Sequence, residues 1–165
     1  MRWPHWRRRS SNGASGAPAN LDEGARRVEA VLETLPELGR IVRDRGDETM
    51  AWETEFPPGQ VQFFLTAPNG ETTGYLQIIA RLMEIPEGSA LPLYRRLLDL
   101  NAGELVQCAF GLSGLHVVLT CECFWNELTP DHVDSLIRSV LAVITRHADA
   151  MVTEFGCRRV CDLPE

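Results

Sequence analysis

Lysine is missing altogether: all sixteen basic side chains are arginine. That excludes a phosphate loop of the G-x-x-x-x-G-K type, whose spacing Gly70-Glu71-Thr72-Thr73-Gly74 also lacks. The uniform use of arginine is read as codon bias in a GC-rich genome. Long apolar runs are missing too, since none approaches the roughly 18 residues that a membrane helix needs. No stable membrane insertion is therefore expected. At the start, Met1 to Arg9 is basic and aromatic, but Ser10, Ser11, Asn12 and Gly13 stand where a secretory or twin-arginine signal would place its apolar region. Cysteine is sparse and odd in number, five in all, without the spacing of a disulfide framework. Reduced thiols and a cytoplasmic location are the expectation. No serine sits in a nucleophile elbow.

What is present fits one domain. A chain of 165 residues can bury roughly two-thirds of its unfolded surface and needs neither disulfide nor metal to hold a core. The charge is unevenly placed. Residues 1–20 hold Arg2, Arg7, Arg8 and Arg9 and no acid, so the rest must carry about −11 to give the net −7. An acidic body disfavours nucleic acid, which is bound through basic surfaces, and favours basic protein partners. Residues 1–20, rich in Gly, Ser, Ala and Pro after the arginines, read as a disordered tail. Trp3 and Trp6 beside Arg7, Arg8 and Arg9 would give only weak, reversible attachment to a membrane.

From there the sequence alternates between helix and strand patterns. Asn20 or Asp22 caps a first helix, with Ala25, Val28, Val31, Leu32 and Leu35 at helical spacing and Pro36 to end it. Residues 37–47 stay open between a helical turn and an irregular connection. Three strands follow at 49–56, 61–66 and 73–85, separated by Pro57-Pro58-Gly59 and Pro68-Asn69-Gly70. The third is apolar on both faces: Leu76, Ile78, Ala80 and Leu82 on one, Tyr75, Ile79, Met83 and Ile85 on the other. Such a strand is covered on both sides, and a second copy of the chain is one candidate cover. Residues 89–101 make a second helix, with Ser89 as cap and Leu91, Tyr94, Leu97, Leu98 and Leu100 on its apolar side. A hairpin pairs 104–112 with 115–124 across Ser113-Gly114. The last helix starts at Thr129 and Pro130 and runs to Gly156 with a continuous apolar stripe.

The order α-β-β-β-α-β-β-α, with Leu93-Tyr94-Arg95-Arg96-Leu97-Leu98-Asp99-Leu100-Asn101 in its second helix, resembles the YbjN family. So do the hairpin after it, Leu128-Thr129, and the long helix bearing His147-Ala148-Asp149. That family's fold is similar to the type III secretion chaperones of the Tir chaperone class. The resemblance covers roughly 21–156 and leaves 157–165 as a C-terminal tail. It implies an α+β fold with a five-stranded antiparallel sheet carrying packed helices. It also implies a homodimer and a non-catalytic, chaperone-like or regulatory role in binding a protein client.

Candidate chemistry is thin. Cys121 and Cys123 with Cys157 and Cys161 offer four thiolates, the donor set of a structural zinc site. Cys121 and Cys123, however, continue the apolar face of Val117 and Leu119, where cysteine acts as a small hydrophobe. Arg158 and Arg159 would lower the thiol pKa of Cys157 and Cys161 and make them a redox pair. A zinc-binding or redox-responsive protein is thus the alternative to the binding module. His116 faces away from Cys121, which opposes a Cys-His nucleophile. His132 and His147 read as surface residues. Glu53 and Glu55 share a strand face, an arrangement more often solvated than catalytic. No cofactor is expected. Protein contacts are expected from Trp52 and Trp125, because tryptophan anchors interfaces, and from Tyr75, Ile79 and Met83 on the second face of the third strand.

Overall fold

The computed structural model describes residues 17–69, 73–86, 88 and 90–163. The arginine-rich stretch 1–16, Gly70 and the expected cap Ser89 lie outside the described residues.

The first helix, α1, spans Leu21–Leu32. The Asn20 side chain accepts the Glu23 N–H at 3.0 Å, and the Glu23 carboxylate reaches back to the Ala19 N–H at 2.8 Å. This reciprocal arrangement satisfies donors that a helix start leaves open, and together with Arg27 it lowers the Glu23 pKa. The helix ends before Pro36. The N–H groups of Thr34, Leu35 and Leu38 bond three residues back, so the chain leaves α1 in turns that still bury Leu35 and Leu38.

Strands β1 (Val42–Arg45), β2 (Thr49–Phe56), β3 (Gly59–Thr66) and β4 (Tyr75–Glu84) form a meander. Helix α2 (Ala90–Gly103) leads to the hairpin β5 (Cys108–Ser113) and β6 (His116–Phe124). Helix α3 (Pro130–Phe155) follows, and β7 (Arg158–Arg159) runs into a 3-10 turn at Val160–Asp162. All pairings are antiparallel, in the order β1-β2-β3-β4-β6-β5, with β7 also beside β4. The sheet therefore has seven strands, not the expected five. One extra strand, β1, lies in the stretch left open between helix and loop. The other, β7, lies in the segment read as a tail, where it meets Met83 and Glu84 beyond the point at which β3 stops pairing. An Arg158–Glu84 ion pair fastens it.

Strand alternation decides the layering. One row across the sheet runs Trp52, Phe63, Ile78, Cys121, Cys108, and the next runs Thr54, Val61, Ala80, Leu119, Phe110. All of these are buried, in one core with residues from α1, α2 and α3. Gly24 lets α1 approach closely, since a Cβ there would stand 2.9 Å from the Trp125 ring. The register slips between Arg81 and Met83, so Leu82 and Met83 are both buried although they are neighbours in a strand. This bulge corrects the expected placement of Met83 on the second face.

At the β5 edge, the Asn101 side chain accepts the Phe110 N–H at 2.8 Å and donates to the Phe110 carbonyl at 2.9 Å. Phe110 therefore turns its backbone groups away from β6, and its pair with Leu119 is not hydrogen-bonded. Cys108 and Cys121, two residues along each strand, form a pair of the same kind, with side chains close together. α3 begins where expected. Thr129 Oγ1 accepts the His132 N–H at 3.3 Å, and Pro130 occupies the first position. It ends at Gly156, whose φ of 68° is the left-handed conformation glycine adopts without strain.

Candidate functional site

With α1, α2 and α3 packed on the core side, the opposite face of the sheet carries no helix among the described residues. Its rows follow from the register: Thr66, Tyr75, Phe124; then Ala51, Phe64, Gln77, Glu122; then Glu53, Gln62, Ile79, Thr120, Ala109; then Glu55, Gln60, Arg81, Val118, Gly111. Phe64, Tyr75 and Ile79 are half-buried and Phe124 is 60% exposed. Val118 alone among them is buried, between Arg81 and Gly111. Polar side chains on this face are tied sideways. Glu53 accepts from Gln60 at 2.6 Å and from Gln62 at 2.5 Å, and Gln77 donates to Glu122 at 2.7 Å. The result is a mixed surface, with apolar side chains set among amides whose bonds hold them in place. Glu53 is held as an acceptor by two amides, and Glu55 on the same face is exposed.

Of the residues expected to meet a partner, Tyr75 and Ile79 stand on this open face. Trp52, Trp125 and Met83 do not. Trp52 is 2% exposed and donates its indole N–H to Glu29; Trp125 is 5% exposed and donates to the Pro18 carbonyl at 2.8 Å. Their large apolar rings fill the monomer's own core, and each indole N–H finds the partner it needs inside. The signal was available for Trp52, which alternates with Met50 and Thr54 on the buried face and not with Glu53 and Glu55. The Trp125 contact also shows that residues 18–20 pack on the body and do not belong to a free tail.

A second apolar surface was missed. On α2 the buried positions are Leu93, Leu97 and Leu100, whereas Leu91 and Leu98, expected on the inner side, are 80% and 67% exposed. The apolar arc of α2 is wider than the face the core covers, and the excess stands in solvent.

The cysteines divide. Cys108 and Cys121 face each other in the core; their mutual hydrogen bond lowers the pKa of the first and, with burial, raises that of the second. Cys157 is buried, which raises its pKa. Cys161 is exposed but also raised, by burial of the thiol and by Asp162. Arg159 does lower the Cys161 pKa as expected, but burial and Asp162 outweigh it, and burial alone raises Cys157. All five cysteines are free thiols. The four-thiolate zinc site is not assembled. Among the described residues, the ligand atoms that converge are those of Cys123, Glu127 and His132, within 4.8 Å of one another. Burial, and then the Glu127 carboxylate, push the Cys123 thiol up to about 12.

His147, expected at the surface, is buried on α3 with its ring edge-on to Phe110, 6.4 Å between centroids. A shallow depression of about 350 Å³ lies between Glu37, Phe56 and Arg138, and it gathers no nucleophile with a base. No helix among the described residues is long and apolar enough to cross a membrane. No protein-family model matches the chain, and no curated protein matches it.

Proposed function

We propose that this chain is a non-catalytic protein-binding module, chaperone-like or regulatory, acting as a homodimer that holds a protein client. The observation that carries the reading is the helix-free face of the sheet, where Phe64, Tyr75, Ile79 and Phe124 stand among fixed amides. An apolar face rimmed by polar groups marks a protein-binding surface. The acidic body makes a basic client the better match. The exposed leucines of α2, two turns apart, suit the second copy, because a short apolar stripe can meet itself about a two-fold axis. The run β2-β3-β4-α2-β5-β6-α3, preceded by α1, supports a type III secretion chaperone-like fold to which β1 and β7 are added. Five free thiols suit the reducing cytoplasm.

The test has two parts. Light scattering of the full chain should give twice the chain mass, falling to one chain mass for Leu91→Glu with Leu98→Glu. The dimer should also suppress aggregation of a reduced, basic model protein, and Ile79→Arg with Phe124→Arg should abolish that suppression while circular dichroism stays unchanged. A monomer with no effect on aggregation would overturn the reading.

A further inference from the structure

Three side chains of different chemistry meet where β6 passes into α3. Cys123 is the next-to-last residue of β6 and points into the core, where it pairs across the ladder with Leu76. Glu127 closes the 3-10 turn Trp125–Glu127. His132 lies in the first turn of α3. The thiol, the carboxylate and the imidazole each offer one atom, all within 4.8 Å of one another.

Each is held by a separate support. The sheet fixes Cys123. The turn is fixed by Trp125, whose backbone N–H bonds the Gly74 carbonyl and whose indole bonds Pro18. Thr129 and Pro130 fix the start of α3. Among the described residues, neither the Glu127 carboxylate nor the His132 ring has a hydrogen-bond or ion-pair partner. A small apolar thiol in a core explains Cys123 alone. It leaves unexplained why an acid and an imidazole converge on it.

We propose that Cys123, Glu127 and His132 bind one zinc ion. Sulfur, nitrogen and oxygen donors in this mixture suit zinc, at about 2.3, 2.0 and 2.0 Å. Calcium and magnesium demand oxygen ligands and have no use for a thiolate. Around a tetrahedral ion with these bond lengths the donor atoms lie about 3.3–3.6 Å apart, so they need to close by at most about 1.5 Å. Glu127 is exposed and Cys123 is not, so solvent reaches the ion from the Glu127 side and a water takes the fourth position. Binding releases the Cys123 proton to solvent and forms the thiolate–zinc bond, with no change in oxidation state. The ion ties the end of β6 to the start of α3. It belongs to a different place in the fold from the open sheet face, so it stands or falls independently of the client.

Cobalt(II) is the probe, added to the full chain after removal of metal. A thiolate-to-cobalt charge-transfer band in the near ultraviolet and tetrahedral visible bands are expected, both displaced by zinc. The charge-transfer band should vanish in Cys123→Ser and persist in Cys108→Ser with Cys121→Ser. His132→Ala and Glu127→Gln alter exposed or half-exposed positions, and they serve if Cys123→Ser does not fold. Each should weaken zinc by about a hundredfold, at the upper end of the roughly 10–100-fold lost with even an outer partner of a metal ligand. Absence of the band, its survival in Cys123→Ser, or unchanged zinc affinity in both surface variants would overturn the site.

Discussion

At the scale of single side chains, Asn101 stands out because its amide does what a neighbouring strand would do. It gives Phe110 both a donor and an acceptor at 2.9 and 2.8 Å. Asn101→Ala should lower stability by about 1–3 kcal/mol, the usual result of stranding polar groups that are partly buried. Urea unfolding of the two proteins measures this. His147 offers a test of sign. Burial lowers its pKa below 6.5 and outweighs Glu104, which is 3.9 Å away and partly solvated. The unfolded chain therefore binds the proton more readily, and stability falls as pH drops below about 6.5. His147→Gln should flatten that part of the curve. Urea midpoints of both proteins at about pH 7.5 and 5.5 would show the difference, and parallel curves would refute it.

At the scale of elements, α3 was the most legible part of the chain. Its cap, its first-position proline, its apolar stripe and its final glycine all agree in the sequence and in the structure. Thr129→Ala should cost about 1 kcal/mol, and Gly156→Ala about 1–2 kcal/mol, because alanine resists a φ of 68°. Thermal unfolding of each variant checks both. β1 was not legible, for a physical reason. Val42, Arg43, Asp44 and Arg45 are all exposed, so no alternation marks them. The strand forms because β2 offers it an open ladder and because Arg43 and Arg45 reach Glu29 and Asp22 on α1. The bulge in β4 was equally hidden, since a period-two pattern cannot announce its own interruption, and Met83 was misplaced in consequence. The cysteines failed differently. Spacing along the chain paired Cys123 with Cys121, whereas the turn after β6 sets it beside Glu127 and His132.

At the scale of the whole molecule, the described residues form a helix side and an open side, whereas the apolar second face of the third strand had been expected to be covered. Tyr75 and Ile79 stand on the open side. The acidic balance yields a prediction at this scale. Binding of a basic client should weaken as salt rises from about 0.1 to 1 M, where screening shortens from about 10 to 3 Å. It should not vanish, because Phe64 and Ile79 supply an apolar part that salt does not screen. Titration of the model client at both salt concentrations measures this, and complete insensitivity to salt would remove charge from the account.

The two borders of the sheet differ in a way that limits growth. A chain can add itself to another without end only if both borders accept a strand. At β5 the third residue of a six-residue border, Phe110, is already engaged by Asn101, which leaves no uninterrupted row for a newcomer. Among the described residues, β1 is the other border of the main strand order. With β5 plugged in this way, strand addition alone cannot carry the sheet on in both directions, so unlimited edge-to-edge growth of that one kind is closed off.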